Sequence, residues 1–262
     1  MMKDLFSLEG RVAVVTGGSR GIGKMIAQGF IEQGAKVYIT ARKAEACDET
    51  AAELSKIGTC ISLPHDISTV DGCREFAAEV IKQDDAIDIL VNNAGAAWGE
   101  PFESFPEKGW DKTMDLNVKS LFYLTQAMHG ALKKTASADK PAKVINIASI
   151  DGIKINPWET YAYQASKAAV IHLTRRMAAR LIEDNICVSG IAPGAFASDM
   201  NKVTRDMPDQ VATAIPQKRI GRDTDMAGAA VFLASRAGDY VVGDTLAVDG
   251  GMAYSQLGQA WG

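Results

Sequence analysis

Cysteine is scarce in this 262-residue chain, with four residues at Cys47, Cys60, Cys73 and Cys187. None is spaced as a Cys-x-x-Cys pair and none has a neighbouring histidine, so neither a disulfide framework nor zinc is expected. Thiols of this kind suit a reducing, cytoplasmic setting. Histidine is scarcer still. His65, His129 and His172 are scattered, which gives no metal-ligand spacing and no base for a hydrolase triad built on Ser149 and Asp151. An excess of positive charge is also missing: 28 Lys and Arg face 32 Asp and Glu, for a net charge of -4. The basic pairs Arg42-Lys43, Lys133-Lys134 and Arg175-Arg176 are small and do not make the basic face of a nucleic-acid protein. No apolar run approaches the ~20 residues of a membrane helix. Residues 1–10 carry Lys3, Asp4 and Glu9, with no long apolar stretch after them, so no signal peptide is expected. No linker or internal repeat divides the chain, and one domain over 1–262 is expected.

What is present is alternation. Short β-branched runs at 11–16, 36–41, 60–63, 87–91, 143–148, 186–192 and 245–248 read as seven strands. Helical stretches at 21–33, 44–57, 68–82, 107–134, 162–183 and 225–234 separate most of them. Ser68-Thr69-Val70-Asp71 has the form of a capping box opening the third helix. The strands are continuously apolar rather than alternating, as strands covered on both faces must be. The expected fold is therefore α/β: a single doubly wound Rossmann-type domain, a seven-stranded parallel sheet with helices on both faces.

The first strand runs into Thr16-Gly17-Gly18-Ser19-Arg20-Gly21-Ile22-Gly23. Glycines permit a tight turn and let backbone N–H groups approach an anion at the helix that follows. The spacing of Gly17, Gly21 and Gly23 is G-x-x-x-G-x-G, not the common dinucleotide fingerprint. The second strand bears on the cofactor. NAD sites place an acid near its end to bind the ribose, but this chain reads Thr40-Ala41-Arg42-Lys43. Arg42 suits a 2′-phosphate, whose oxygens match a guanidinium fork, and Arg20 could add a second charge. NADP(H) is the expected cofactor.

Tyr163-Gln164-Ala165-Ser166-Lys167 places a phenol and an ammonium at i and i+4, on one helix face. A nearby cation favours the phenolate, and a tyrosine tuned this way can exchange a proton with an alkoxide as hydride moves. Tyr161 has Ala165 in the equivalent place, so a packing role is expected for it. A tyrosine-lysine pair is weak alone. Its context is Ser149 at the end of the fifth strand, Asn117 inside the long helix, and Asn92-Asn93-Ala94-Gly95 after the fourth strand.

As an ordered set, these residues resemble the short-chain dehydrogenase/reductase family. The resemblance adds Asp66 after the third strand, Pro193-Gly194, and Val248-Asp249-Gly250-Gly251, and covers about residues 7–253. It implies a nucleotide-binding half at about 7–140, a catalytic and substrate part at 141–253 and a tail at 254–262. It also implies roles. Tyr163 would be the general acid/base, and Lys167 would hold the nicotinamide ribose and depress the tyrosine pKa. Ser149 would orient the carbonyl, and Asn117 would anchor a water. Gly17, Ser19, Arg20, Gly21, Ile22, Gly23 and Arg42 would hold phosphates. Asp66 and Ile67 would lie by the adenine, and Asn93, Ala94 and Gly95 by a ribose. Pro193, Gly194 and Phe196 would border the nicotinamide. Ser198 stands where the family usually has threonine and keeps the hydroxyl. The interval from Ser149 to Tyr163 is one residue longer than the commonest form.

Within the family the chain looks most like bacterial 3-oxoacyl-(acyl carrier protein) reductases, nearest to the rhamnolipid-synthesis type with its insertion around Ser137. That implies 3-oxoacyl thioester reduction, possible contact with acyl carrier protein, and a homotetramer. A reductase of a sugar, steroid or other secondary alcohol is the alternative. A protein that senses NADP(H) without turnover would be expected to lack Tyr163 or Lys167. Loops at 96–105, 150–160 and 197–216 would choose the substrate. Their apolar members (Trp98, Ile150, Ile153, Ile155, Trp158, Phe196) suit an acyl chain and a packed lid equally.

Overall fold

The computed structural model describes residues 4–255. Seven parallel strands form one sheet. They are β1 (Val12–Thr16), β2 (Lys36–Thr40), β3 (Cys60–Ser62), β4 (Ile89–Asn92), β5 (Ala142–Ile147), β6 (Ile186–Pro193) and β7 (Thr245–Val248). Their order is β3-β2-β1-β4-β5-β6-β7. The chain thus winds outward from β1 in one direction, then crosses to β4 and winds outward in the other. The reversal opens a crevice between the carboxyl ends of β1 and β4, the place where such sheets bind ligands. The expected doubly wound fold is the one observed.

Helices α1 (Gly21–Glu32), α2 (Ala44–Leu54), α3 (Val70–Gln83), α4 (Glu107–Met114), α5 (Ser120–Thr135) and α6 (Tyr161–Leu181) follow in chain order. Two short helices, α7 (Lys202–Asp206) and α8 (Pro208–Ala214), precede α9 (Asp223–Ala234). Successive strand residues point to opposite faces, so each strand feeds two cores. Val14 and Val144 pack with Phe76, Leu124, Met128 and Val170 of α3, α5 and α6. Ala13, Val15 and Ile145 pack on the other face with Ile26, Phe30, Leu54 and Met226 of α1, α2 and α9. The four cysteines are buried free thiols. Among the described residues no helix is long and apolar enough to cross a membrane.

Three local expectations need correction. The cap of α3 is Thr69, whose hydroxyl accepts the Gly72 N–H at 3.1 Å, not a Ser68–Asp71 box; the Ser68 N–H instead bonds the Asp66 carboxylate at 3.0 Å. The long helix is interrupted. A π-helical turn at Asp115–Lys119 joins α4 to α5, and Asn117 sits in it. The stretch at 197–216 is not a plain loop, since α7 and α8 lie within it. Of the expected tail, 256–262 lies outside the described residues.

Candidate active site

The crevice is closed by backbone. Thr16, the last residue of β1, uses its hydroxyl to accept the N–H groups of Asn93 and Ala94, each at 2.9 Å. The Asn93 side chain returns the contact, donating to the Thr16 carbonyl at 2.7 Å and the Gly17 carbonyl at 3.2 Å. Gly17 is left-handed at φ +64°, and a side chain there would meet the Asn93 amide. Gly23 is buried in the first turn of α1, with the Gly17 carbonyl where a Cβ would stand. Only glycine allows the turn to fold back so closely. The helix beneath has no acid in its first turn, and Arg20 at its N-cap makes no side-chain capping bond. Its N-terminal N–H groups and positive dipole end thus face the crevice as an anion site.

The other expected nucleotide residues gather around this turn. Ser19 is fixed through its carbonyl, which accepts the Thr50 hydroxyl at 2.8 Å, and Ile22 is half-buried beside it. Gly21 is left-handed at φ +51° and lies against Ser198, so the late Ser198 and the early turn do meet. Arg42 is exposed just beyond β2 and forms no ion pair among the described residues. The Thr40 hydroxyl before it is buried without a partner there. Asp66 is exposed and Ile67 buried after β3. Gly95 passes Asn117 closely enough that a Cβ would lie 3.2 Å from its Oδ1. This donor set, with no carboxylate at the end of β2, fits a phosphorylated dinucleotide.

Two residues sit differently from expectation. Arg20 forms an ion pair with Asp199 at 2.9 Å, both side chains largely exposed, so the pair is weak and leaves the guanidinium available to a phosphate. Phe196 is 2% exposed and packs in the core against Gly221; its side chain borders no open cleft. Pro193 ends β6, and the Gly194 N–H is held by the Val248 carbonyl at 2.9 Å. That contact keeps the backbone at the cleft edge.

The catalytic candidates come from three elements. Ser149 follows β5 and caps a short 3-10 turn, Ile150–Gly152, accepting the Asp151 N–H at 3.1 Å. Tyr163 and Lys167 lie one above the other on α6, the ammonium 5.5 Å from the phenol ring centroid. The Lys167 Nζ donates to the Ile147 carbonyl at 2.8 Å. Both amide hydrogens of the Asn117 side chain are committed. It donates to the Ala96 carbonyl at 2.9 Å and to the Ser166 hydroxyl at 2.8 Å, and accepts the Ala96 N–H at 2.8 Å. Ser166 in turn donates to the Tyr163 carbonyl at 2.7 Å. The π turn is thereby clamped to the catalytic helix. Ser166 was not singled out from sequence, although its place beside Lys167 offered the signal.

Electrostatics correct one expectation. Burial lowers Lys167 to about 8, with the Asp151 charge opposing. Burial raises Tyr163 to about 12, a hydrogen bond with Ser149 opposing and Asp151 adding. The expected depression of the tyrosine by Lys167 is absent here. Desolvation dominates both groups, and the hydrogen bond with Ser149 opposes it at Tyr163.

Beside α6 the loops leave a cavity of about 710 Å³ lined by Phe102, Phe105, Trp110, Ile155, Trp158 and Tyr161 among others. Tyr161 packs edge-on against Phe102 and Phe105. Its hydroxyl donates to Glu159 at 2.9 Å. The packing role expected of it is thus also a lining role.

This fold and this constellation are those of the short-chain dehydrogenase/reductase family, to which the chain belongs. The family model described as Enoyl-(Acyl carrier protein) reductase matches residues 17–253. The chain is 47% identical to the rhamnolipids biosynthesis 3-oxoacyl-[acyl-carrier-protein] reductase of Pseudomonas aeruginosa, over 95% of this chain and 99% of that protein. It is 38% identical to the 2-dehydro-3-deoxy-D-gluconate 5-dehydrogenase of Escherichia coli, over 96% and 98% of the two chains. Among solved structures, the Pseudomonas aeruginosa RhlG/NADP active-site complex superposes with a TM-score of 0.92 at 46% identity, covering 95% of this chain and 98% of the other.

Proposed function

We propose that the chain is an NADP(H)-dependent oxidoreductase that interconverts a carbonyl and a secondary alcohol, with 3-oxoacyl thioesters as substrates. The observation that carries this reading is the convergence of Ser149, Tyr163 and Lys167 at the carboxyl ends of the strands. The likeness to the reductase of Pseudomonas aeruginosa supports the substrate class, and the NADP complex supports the cofactor. When bound, NADPH supplies the hydride. The N-terminus of α1 with Gly17, Ser19, Arg20, Gly21, Ile22 and Gly23 would hold its phosphates, and Arg42 its 2′-phosphate. Asp66, Ile67, Asn93, Ala94 and Gly95 would border the adenosine. Lys167 would hold the nicotinamide ribose. Pro193, Gly194 and Ser198 would border the nicotinamide, with Phe196 acting through its backbone.

The residues divide the chemistry. Ser149 donates to the substrate oxygen and fixes the carbonyl. Tyr163 gives its proton to that oxygen as negative charge develops, and in the reverse direction takes it back. The phenolate left behind needs positive charge. Lys167 supplies it as an ammonium held by the Ile147 carbonyl. Asn117 positions the helix that carries both, through Ser166, and with both amide hydrogens taken a relay water would have to donate to it.

The same reading includes one domain over 1–262, a cytoplasmic setting, acyl carrier protein or CoA as the carrier of the substrate, and a homotetramer. Exposed Phe122 on α5, Ile182 after α6, and Val242 and Leu246 around β7 supply apolar surface for subunit contacts; a monomer in light scattering would count against them. A sugar-acid reductase is the second reading, favoured by the likeness to the gluconate enzyme of Escherichia coli. The test is oxidation of NADPH, compared with NADH, with acetoacetyl-CoA. Tyr163→Phe should lower kcat/KM on the order of 10³-fold while NADPH still binds. Tight NADPH binding without turnover of acetoacetyl-CoA would overturn the 3-oxoacyl assignment.

A further inference from the structure

Charge joins the phosphate turn to the segment at 197–216, in a way the proposed chemistry does not use. Arg20 is the N-cap of α1, and its Nη1 donates to one oxygen of the Asp199 carboxylate at 2.9 Å. The other oxygen accepts from Arg205 of α7 at 2.8 Å. Arg205 is bound in turn to Asp206, from Nε at 2.8 Å and from Nη2 at 3.3 Å. Asp199 is held in place by its neighbours. Ser198 before it lies against Gly21, where a Cβ would stand 3.2 Å from the Ser198 Cβ. The Ser198 hydroxyl accepts the Asn201 N–H at 3.1 Å, and Asn201 caps α7 by accepting the N–H of the buried Thr204. Arg20, Asp199, Arg205 and Asp206 thus form a string of alternating charge that starts at the anion-binding turn.

The first contact of this string can be exchanged at little cost. Arg20 and Asp199 are largely in solvent, where an ion pair is weak. A phosphate carries more charge than a carboxylate and accepts two parallel bonds from one guanidinium. Asp199 would not be stranded by the change, because Arg205 still holds it. Lys24, the other cation in the first turn of α1, is taken up by Glu53 at 2.7 Å. It is therefore Arg20 that a phosphate at the turn and Asp199 both address.

We infer that Asp199 is an internal competitor for the cofactor: it holds Arg20 before NADPH binds, and binding moves the guanidinium from the carboxylate to a cofactor phosphate, which cuts the tie between the turn and α7. The inference rests on the proposed cofactor site and adds to it a residue that weakens it. No covalent bond changes; one counter-ion of Arg20 replaces another.

The test is equilibrium binding of NADPH, read by its fluorescence at low ionic strength, in a cycle of Asp199→Asn and Arg20→Gln. Asparagine keeps the shape of the side chain and removes its charge. Asp199→Asn should tighten NADPH binding about two- to fivefold, the size of one exposed ion pair, and the gain should fade as salt rises toward about 1 M. In the Arg20→Gln background the same substitution should change affinity little, because the contact it relieves is already gone. Asp206→Asn removes an equal charge from the string without touching Arg20, and its effect should be smaller. Arg20→Gln by itself separates the inference from the reading beneath it. If NADPH affinity does not fall in that variant, the assignment of Arg20 to a phosphate fails and the inference fails with it. If it falls but Asp199→Asn changes nothing, the assignment stands and the competition is overturned. A gain of equal size with and without Arg20 also overturns it, since Asp199 would then merely repel the phosphates through space. A loss of affinity in Asp199→Asn overturns it as well, because Arg20 would then bridge Asp199 and the phosphate.

Discussion

The two sides of the crevice are built in opposite ways. On the side of β1 and β4, contacts run backbone to backbone or from short polar side chains to backbone. Thr16, Gly17, Asn93 and Ala94 close on one another, and Gly23 leaves no room for a methyl group. On the side of the loops, large apolar groups stand in the open: Phe102 is 72% exposed, Ile155 87% and Trp158 63%. On the proposed function the first side would recognise the cofactor, and a rigid backbone serves that best. The second would then recognise the substrate, the part that differs between the 3-oxoacyl reductase and gluconate dehydrogenase relatives. On that reading, reaction class is written in the packed side and substrate in the exposed one.

Gly23→Ala should break the packed side with the largest effect. Its methyl group would collide with the Gly17 carbonyl and the Asn93 amide, and backbone cannot rotate away as a side chain can. Overpacking of this kind costs about 1–3 kcal/mol; felt at the cofactor site, that cost should lower NADPH affinity roughly 10- to 100-fold. Fluorescence titration with NADPH and thermal melting check both. Unchanged affinity would mean that the turn does not hold the cofactor.

Lys167 sharpens the comparison from within the site, because it is 5% exposed and still charged below its pKa of about 8. The folded value lies below the ordinary 10.5. Between these values the unfolded chain binds more protons than the folded one, so this group adds stability as pH rises from about 8 to 10.5. The gain is on the order of 3 kcal/mol for a shift of this size. Urea unfolding at pH 7.5 and 10 should show the wild type gaining on Lys167→Met by that order. Parallel curves for the two proteins would place the ammonium in contact with water instead.

Much of this was legible in sequence, for a physical reason. A buried parallel strand is a continuous apolar run ended by glycine or a polar residue, and β7 was read at 245–248, where it is found. Gly17, Gly21, Ser149, Tyr163 and Lys167 were legible because each sits at a fixed offset from such a strand or within one helix. What sequence hid was tertiary. The π turn carrying Asn117 adds one residue to a helix without changing its composition. The pairing of Arg20 with Asp199 joins residues 179 apart. The pKa of Tyr163 depends on how much water reaches it, and an i, i+4 spacing carries no information about that. The short helices α7 and α8 were missed because their lengths, 5 and 7 residues, span too few turns to show a period.

The smallest effect belongs to the exposed side. Trp158→Ala removes a large ring that is mostly in solvent, so stability should change by no more than about 0.5 kcal/mol, and NADPH affinity should not move. Substrate length should reveal the ring instead. Acetoacetyl-CoA carries only a methyl group beyond its ketone, whereas a 3-oxodecanoyl thioester extends several methylenes further, each worth about 0.8 kcal/mol when buried. The variant should therefore leave KM for the short substrate in place and raise it several-fold for the long one. Equal changes for both lengths would place the acyl chain elsewhere and reduce the cavity wall to a packed lid; a loss of NADPH affinity would show that the two sides of the crevice are not independent.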